Sequence, residues 1–276
     1  MRIAFFLLLC INLFSYDFRY SISQKEAKNI FYFLEKFDFK KVLPEDWEIE
    51  KKEKSYKIRY FDTDDKKILK QKSICAIKEY GKNKKFVILD NTVFKTKIYR
   101  KQKTLKDKHP LFGIIKRKER ELFKEKLKKL GVNDPLLLKN IFNLIKLEWQ
   151  IVILKDNQKL AILSLQKTIF NESPFNKEYF QIFFTISQKD IKEEDLKTLN
   201  KISLNIEKEI KSNNKKLKKE NCPNNYVCDY EKLKDDFFFR FAVERGFVFY
   251  LLYIFALSLI FAAPLLIIKI KKEVTL

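Results

Sequence analysis

The sequence contains very little glycine and proline, with 4 glycines and 6 prolines in 276 residues. Collagen-like and low-complexity chains are rich in these residues, and disordered chains are poor in apolar ones. Here 46% of the residues are hydrophobic and 15% are aromatic, enough to form a packed core. The composition therefore argues against all three classes, and the length indicates one large domain or two small ones.

Histidine is almost absent, which limits the chemistry that the chain can perform. The single histidine, His109, precedes Pro110 in a basic stretch typical of a loop. One histidine excludes a histidine-rich metal site and argues against a histidine-dependent catalytic triad. The sequence also has no glycine-rich phosphate loop and no GxSxG motif, so nothing in it indicates a nucleotide-binding fold or a serine hydrolase.

Positive charge is in large excess, with 58 Lys and Arg against 36 Asp and Glu and a net charge of +22. Such a surface attracts nucleic acid, anionic lipid, polyphosphate or acidic glycans. Lys, Ile, Asn and Phe are all abundant, so the bias of an A/T-rich genome explains the excess equally well. An anionic polymer is therefore one candidate partner, beside an unidentified protein.

Two apolar segments indicate export and membrane anchoring. Residues 1–15 have the order of a signal peptide, in which Arg2 precedes an apolar run that ends at the small residue Ser15. Residues 246–268 carry no charge and are long enough to span a ~30 Å hydrocarbon core. We therefore predict an extracytoplasmic domain, one transmembrane helix at 246–268 and a short cytoplasmic tail at 269–276.

Hydrophobic periodicity predicts that residues 16–210 form an α+β domain with a largely antiparallel sheet. Residues 211–245 are predicted to be a basic linker and a cysteine-containing stalk. The predicted helices are 24–37, 117–130, 134–145 and 191–210. The predicted strands are 17–22, 49–61, 73–78, 86–89, 93–99, 149–154, 160–166 and 179–187.

The cysteines fit an oxidising compartment. Cys222 and Cys228 flank a turn-rich loop, and we expect them to form a structural disulfide. Their spacing is not C-x-x-C and no second pair of metal ligands accompanies them, which argues against redox catalysis and zinc binding. Cys75 lies among apolar residues and is predicted to be a small core residue rather than a nucleophile.

One motif and its surroundings resemble a known superfamily. Tyr60-Phe61-Asp62-Thr63 resembles the YxDT-type element of the CYTH superfamily, the triphosphate tunnel metalloenzymes. The next hairpin, 74–79 and 85–90, is similar to the LRxR and TxK pair of that family, and the similarity covers about residues 17–210. The resemblance implies an antiparallel barrel closed into a tunnel, in which basic side chains bind a triphosphate and glutamates hold a metal.

The residues that would perform this chemistry are mostly replaced. The first-strand ExExK position holds Asp17, Arg19 and Ser21. The positions of the two arginines of LRxR are occupied by Ala76 and Lys78, and the position of the later lysine is occupied by Asp90. Gln181 and Phe183 occupy the last-strand carboxylate positions and do not suit Mg²⁺. The resemblance therefore implies the fold, and we predict no catalytic residue, cofactor or metal.

Basic residues on alternate strand positions are the candidate binding residues. Lys57, Arg59, Lys78 and Lys97 are candidates for an anion-binding interior, and the alternative is a solvated sheet face. Glu48 and Glu50 belong to a literal ExExK match just before the YFDT motif. They are alternative metal ligands, although a charged strand surface explains them as well.

Two main hypotheses follow. The first is a non-catalytic, membrane-anchored envelope or surface protein that binds a protein partner or an anionic polymer. The alternative is a CYTH-like tunnel domain that binds polyphosphate or a nucleoside triphosphate without turnover. A metal-dependent phosphohydrolase is a third and weaker hypothesis.

The predicted topology is tested by protease added to intact spheroplasts. If residues 246–268 anchor an exported domain, the protease is expected to remove the domain and leave a small C-terminal fragment, detected with a C-terminal epitope. Full protection of the domain would contradict the topology, provided that the same protease digests it after lysis.

Overall fold

The computed structural model describes residues 18–81, 84–90, 92–94, 96, 111, 114–170, 177–187, 191–214, 216–236, 239–240 and 252–260. These residues form a mixed structure of helices and one nine-stranded sheet in the order β5-β4-β3-β2-β6-β7-β8-β1-β9. The strands are β1 (Phe18–Ile22), β2 (Trp47–Asp62), β3 (Cys75–Tyr80), β4 (Lys84–Leu89), β5 (Thr92–Phe94), β6 (Lys139–Lys155), β7 (Gln158–Phe170), β8 (Lys177–Ile186) and β9 (Lys218–Lys219).

Neighbouring strands of the described sheet are all antiparallel, as the sequence predicts, but the sheet does not close. Over the described residues, the edge strands β5 and β9 do not pair with each other, so the expected barrel is not formed. These strands have three and two residues and offer few hydrogen-bonding groups for closure. The α+β class is confirmed, and the closed tunnel is corrected to an open sheet.

Among the described residues of the domain, five α-helices accompany the sheet, and three of them were predicted. They are α1 (Gln24–Lys36), α2 (Lys67–Lys70), α3 (Arg120–Lys129), α4 (Glu193–Asn213) and α5 (Asn225–Leu233). A capping box begins α1, because Ser23 Oγ accepts from the Glu26 N–H at 3.2 Å and Glu26 accepts from the Ser23 N–H at 2.8 Å. Gly131 follows α3 at a φ of +77°, which only glycine adopts without strain.

The predicted helix at 134–145 is wrong. Asp134 does begin a helical turn, since its carboxylate accepts from the Leu136 N–H at 2.9 Å, but the turn ends at Leu137. The chain then enters β6, which pairs with β2 along the whole length of β2. Burial in β6 alternates with a period of two around Phe142 and Leu144, so sheet pairing overrides the local helix signal.

The two faces of the sheet have different coverings. We call the face that bears Tyr60 and Lys146 the α5 face, because Tyr226 of α5 stacks on Tyr60 with ring centroids 5.0 Å apart. We call the opposite face the α1 face, because Phe31 of α1 packs edge-on against Trp149 at 5.4 Å. A second apolar cluster formed by α1, α4 and strands β1, β6, β7 and β8 lies on the α1 face.

The segment predicted to be a stalk is largely part of the domain. β9 pairs with β1, and Tyr226 and Leu233 of α5 have no exposed surface. The disulfide between Cys222 and Cys228 is confirmed, with Cα atoms 5.4 Å apart. It links the segment before α5 to a residue within that helix. Cys75 is fully buried, as expected of a core residue.

The terminal predictions fall mostly outside the described residues. Residues 1–15, His109, Lys97 and the tail at 269–276 lie there, and so does much of the predicted transmembrane helix. Residues 252–260 are described and form an exposed helix. In the described part of the chain, we find no helix with both the length and the apolar character needed to cross a membrane.

Candidate functional site

A buried ion pair lies at the centre of the α5 face. Helix α5 places Asp229 against the sheet, and its carboxylate oxygens lie 2.7 and 3.0 Å from Lys146 Nζ. Both side chains are completely buried. The hydroxyls of Tyr60 and Tyr179 donate to the same carboxylate at 2.5 and 2.7 Å. Strands β2, β6 and β8 therefore meet on one residue of α5.

A second buried carboxylate, Glu148, adjoins this pair. It accepts hydrogen bonds from Tyr56, from Gln166 and, at 2.7 Å, from Gln150. Gln166 also accepts from Lys146 at 3.1 Å, which joins the two carboxylates into one network. Burial, with the nearby carboxylates adding to it, raises the pKa of Tyr56, Tyr60 and Tyr179 well above its ordinary value. These tyrosines therefore remain hydrogen-bond donors.

The YFDT motif supports the packing of α2 and α5. The buried Asp62 carboxylate accepts from the N–H groups of Ile68 and Leu69, each at 2.9 Å, which lie in α2. It also accepts from the Tyr226 hydroxyl at 2.9 Å. Together with Tyr60, which donates to Asp229, Asp62 attaches α5 to the sheet. The motif that most resembles the CYTH pattern therefore makes structural contacts here.

Four other positions identified by the resemblance, Lys78, Arg19, Gln181 and Phe183, also make packing contacts on the α5 face. Lys78 Nζ lies 3.9 Å from the ring centroid of Tyr56. Burial lowers the pKa of Lys78 to about 8, although the charge of Glu148 opposes this shift. Arg19 lies over the Phe183 ring at 5.0 Å, and Gln181 donates to Glu220 at 2.6 Å.

Lys57 and Arg59 lie on the opposite, α1 face. Strand residues in register share a face, and Ile58 is in register with Lys78 whereas Arg59 is in register with Ile77. The predicted cations are therefore divided between the two faces of the sheet. The sequence alternation identifies Lys57 and Arg59 as neighbours, but the register that separates them from Lys78 is not visible in the sequence.

Lys57 and Arg59 line an open polar cleft of about 490 Å³. Arg59 pairs with Glu79, and Lys85 lies 3.1 Å from the same carboxylate. Within the described residues, the buried Nε of Arg59 has no hydrogen-bond acceptor. Lys85 was not predicted, because only its register with Glu79 brings it to this cleft. The charged residues lining the cleft are Lys57, Arg59, Lys85 and Glu79.

Glu48 and Glu50 lie in the first part of β2 and are exposed. Glu50 forms an ion pair with Lys52 at 2.5 Å, with both side chains at least 40% exposed. Of the described residues, one group has donor atoms close enough to share a metal, namely Glu220, Cys222 and Cys228. Its two sulfurs are joined in the disulfide, so they are not thiolate ligands.

Comparison with known proteins gives only distant likenesses. No family model matches the chain, and no curated protein matches it. It is similar to a solved structure from Bacillus halodurans, provisionally named an adenylate cyclase, with 19% identity, a TM-score of 0.39, and coverage of 69% of this chain and 88% of the other. It is also similar to a protein from Pyrococcus horikoshii, with 15% identity and a TM-score of 0.32. That match covers 79% of this chain and 99% of the other.

A third structure, from Vibrio parahaemolyticus and also provisionally named an adenylate cyclase, is 9% identical with a TM-score of 0.36. It covers 78% of this chain and 97% of its own. Because all three TM-scores lie below 0.5, these likenesses assign neither a family nor an activity. The resemblance to the CYTH superfamily remains a hypothesis carried by the sequence motifs.

The buried pair predicts a large loss of stability in Asp229→Asn. This change leaves the Lys146 charge buried without a carboxylate, and we expect the free energy of unfolding to fall by about 3–5 kcal/mol. The matched control is Asp235→Asn, which removes an exposed pair with Arg240 and should cost less than about 1 kcal/mol. Urea unfolding measures both, and equal losses would contradict the prediction.

The lowered pKa of Lys78 predicts a pH dependence. Between the folded pKa of about 8 and the ordinary value of 10.5, the unfolded chain holds the proton that the folded chain has released. Stability contributed by this residue therefore rises with pH across that window. Lys78→Met should lose this rise in urea unfolding between pH 7 and pH 10, whereas the exposed control Lys128→Met should keep it. Parallel profiles for all three proteins would refute the assignment.

Proposed function

We propose that this chain is a membrane-anchored extracytoplasmic protein whose α+β domain binds a phosphate-rich anionic ligand without turnover. The observation that supports the ligand class is the cleft on the α1 face. There, three cationic side chains face a single carboxylate, Glu79, so the lining has a surplus of two positive charges. Lys57 is exposed and the Arg59 side chain is 31% exposed, so a phosphate oxygen can reach both cations from the cleft.

The α5 face is a weaker candidate for binding. Lys146 is already paired with Asp229, and Glu148 already accepts from three donors. A phosphate in this position would have to displace the carboxylate of Asp229 and, with it, α5. The exchange would give up buried hydrogen bonds that hold the fold together, which the cleft on the α1 face does not require.

The non-catalytic part of the proposal rests on residue types. Metal-assisted phosphoryl transfer uses carboxylates to hold the metal that neutralises the developing charge. In this chain Gln181 and Phe183 stand at the positions where the CYTH resemblance implies such a carboxylate pair. The cleft itself offers one carboxylate, Glu79, which is held by Arg59 and Lys85.

The membrane and export parts of the proposal rest on the sequence. A signal-peptide pattern at 1–15 and the charge-free run at 246–268 support an extracytoplasmic domain. The Cys222–Cys228 disulfide is compatible with that location, because disulfides persist in oxidising compartments.

Calorimetric titration of the purified protein with tripolyphosphate tests the ligand class. Lys57→Gln combined with Arg59→Gln is expected to weaken binding at least tenfold, since each charged hydrogen bond contributes about 1.5–3 kcal/mol. The matched control is Lys128→Gln with Lys129→Gln, which removes two exposed charges from α3 and should change affinity about twofold or less. Dextran sulfate serves as an unrelated polyanion.

Two results would overturn this proposal. Equal losses for the two double variants would mean that binding is diffuse attraction to the net charge of +22. Release of phosphate from tripolyphosphate with Mg²⁺, abolished by Glu48→Gln or Glu50→Gln, would instead make the chain a metal-dependent phosphohydrolase.

A further inference from the structure

An apolar groove lies next to the cationic cleft on the α1 face. It has a volume of about 680 Å³ and lies between α1 and the sheet. Tyr32 is 64% exposed and Leu147 is 40% exposed, so this apolar surface is accessible to solvent. The residues that contribute most of its apolar lining are Phe31, Tyr32, Leu147, Trp149, Leu165 and Phe180.

The cleft and the groove follow the same two paired strands. Lys57 is in register with Ile145, Ser55 with Leu147, and Glu53 with Trp149. Residues two apart on a strand share a face, so these pairs form successive rows on the α1 face. From Arg59 to the Trp149 row the surface extends over six residues of β2, about 20 Å. Along this line it changes from cationic to apolar.

Two lysines beside the groove are paired with carboxylates, and its lining also contains Lys28, Glu53 and Lys54. Lys167, which lines the groove, forms an ion pair with Glu178 at 2.7 Å. Lys51 lies over the ring of Trp149 at 5.8 Å and pairs with Glu35 at 3.2 Å. Aromatic and aliphatic side chains therefore predominate at the groove end, whereas the Lys57 and Arg59 end is lined mainly by charged and polar side chains.

We propose that the cleft and the groove together bind one anionic amphiphile. Its phosphate headgroup pairs with Lys57 and Arg59, and its hydrocarbon chain lies along Leu147 and Trp149. This inference rests on the proposed function and specifies the ligand as a phosphate joined to an alkyl chain. The two chemistries of the surface match the two parts of such a molecule, because burial of the chain removes apolar surface from water.

A second copy of this chain fits the groove less well. Each copy carries a net charge of +22, so association would bring like charges together at a surface that is already cationic. A headgroup with negative charge removes that repulsion. Charge complementarity therefore favours the amphiphile.

The test uses the full chain in dodecyl maltoside, a detergent with an uncharged headgroup. The probe is a twelve-carbon alkyl phosphate with a diazirine at the end of its chain, and the matched probe carries an alcohol in place of the phosphate. After irradiation, mass spectrometry maps the labelled residues. The phosphate probe is expected to label peptides containing residues 27–32 and 145–149 at least tenfold more than the alcohol probe does.

Two variants and a control assign that label to the groove. Lys57→Gln with Arg59→Gln should remove the advantage of the phosphate probe. Leu147→Asn should lower labelling of the groove about fivefold or more while leaving tripolyphosphate binding unchanged. The control is Leu204→Asn, at a residue of α4 that is 50% exposed, and it should leave labelling unchanged.

The outcomes separate this inference from the proposed function. Equal labelling by both probes, or no label in the groove, overturns the amphiphile while tripolyphosphate binding still depends on Lys57 and Arg59. Loss of that dependence overturns the proposed function as well. Groove labelling that requires the phosphate, both cations and Leu147 supports the inference.

Discussion

The buried ion pair between Lys146 and Asp229 determines how the rest of this domain is arranged. An ammonium group without exposed surface is tolerated only beside a partner, and the partner comes from α5, 83 positions further along the chain. The hydroxyls of Tyr60 and Tyr179 fill the remaining acceptor sites of the carboxylate. The sheet and α5 therefore depend on each other, and α5 belongs to the folded domain.

Because α5 is held to the sheet in this way, the two faces of the sheet differ in how accessible their polar groups are. The α5 face carries many polar side chains, but they bind each other, and the aromatic stack of Tyr60, Tyr226 and Phe142 fills the space beside them. Such a network gives specificity to the packing, and a ligand could enter only by disrupting it. The α1 face keeps charges that are only partly balanced. We therefore propose that the ligand binds on the α1 face, where Lys57 and Arg59 are accessible.

Local patterns predicted much of the fold because they depend on neighbouring residues. The capping box at Ser23 and the alternation of Tyr56, Ile58 and Tyr60 are both visible in a few residues of sequence. The helix predicted at 134–145 failed since its start signal is local, whereas the strand that replaces it is stabilised by pairing with β2. Distance in sequence, rather than weak local preference, explains that error.

The candidate site shows the same limit. Alternation correctly grouped Lys57 with Arg59, but placing Lys78 on the other face and Lys85 in the cleft required the register of three strands. Asp229 was missed because nothing in residues 225–233 signals a buried carboxylate. The structural role of Asp229 is evident only from its buried ion pair with Lys146. Pairwise electrostatics between distant residues is therefore the part of this site that a single sequence conceals.

The position of β1 has a consequence for how the chain acquires its structure. β1 is the first described strand, yet Phe18 pairs with Phe184 and Tyr20 with Lys219, near the other end of the domain. A ribosome or a translocation channel delivers β1 first, and its partners arrive last. Until then Phe18, Tyr20 and Ile22, which are buried in the finished sheet, lack the neighbouring strands that pair with β1. Folding that depends on such distant contacts is slow, and until its partners are made, the unpaired β1 is exposed to aggregation with other chains.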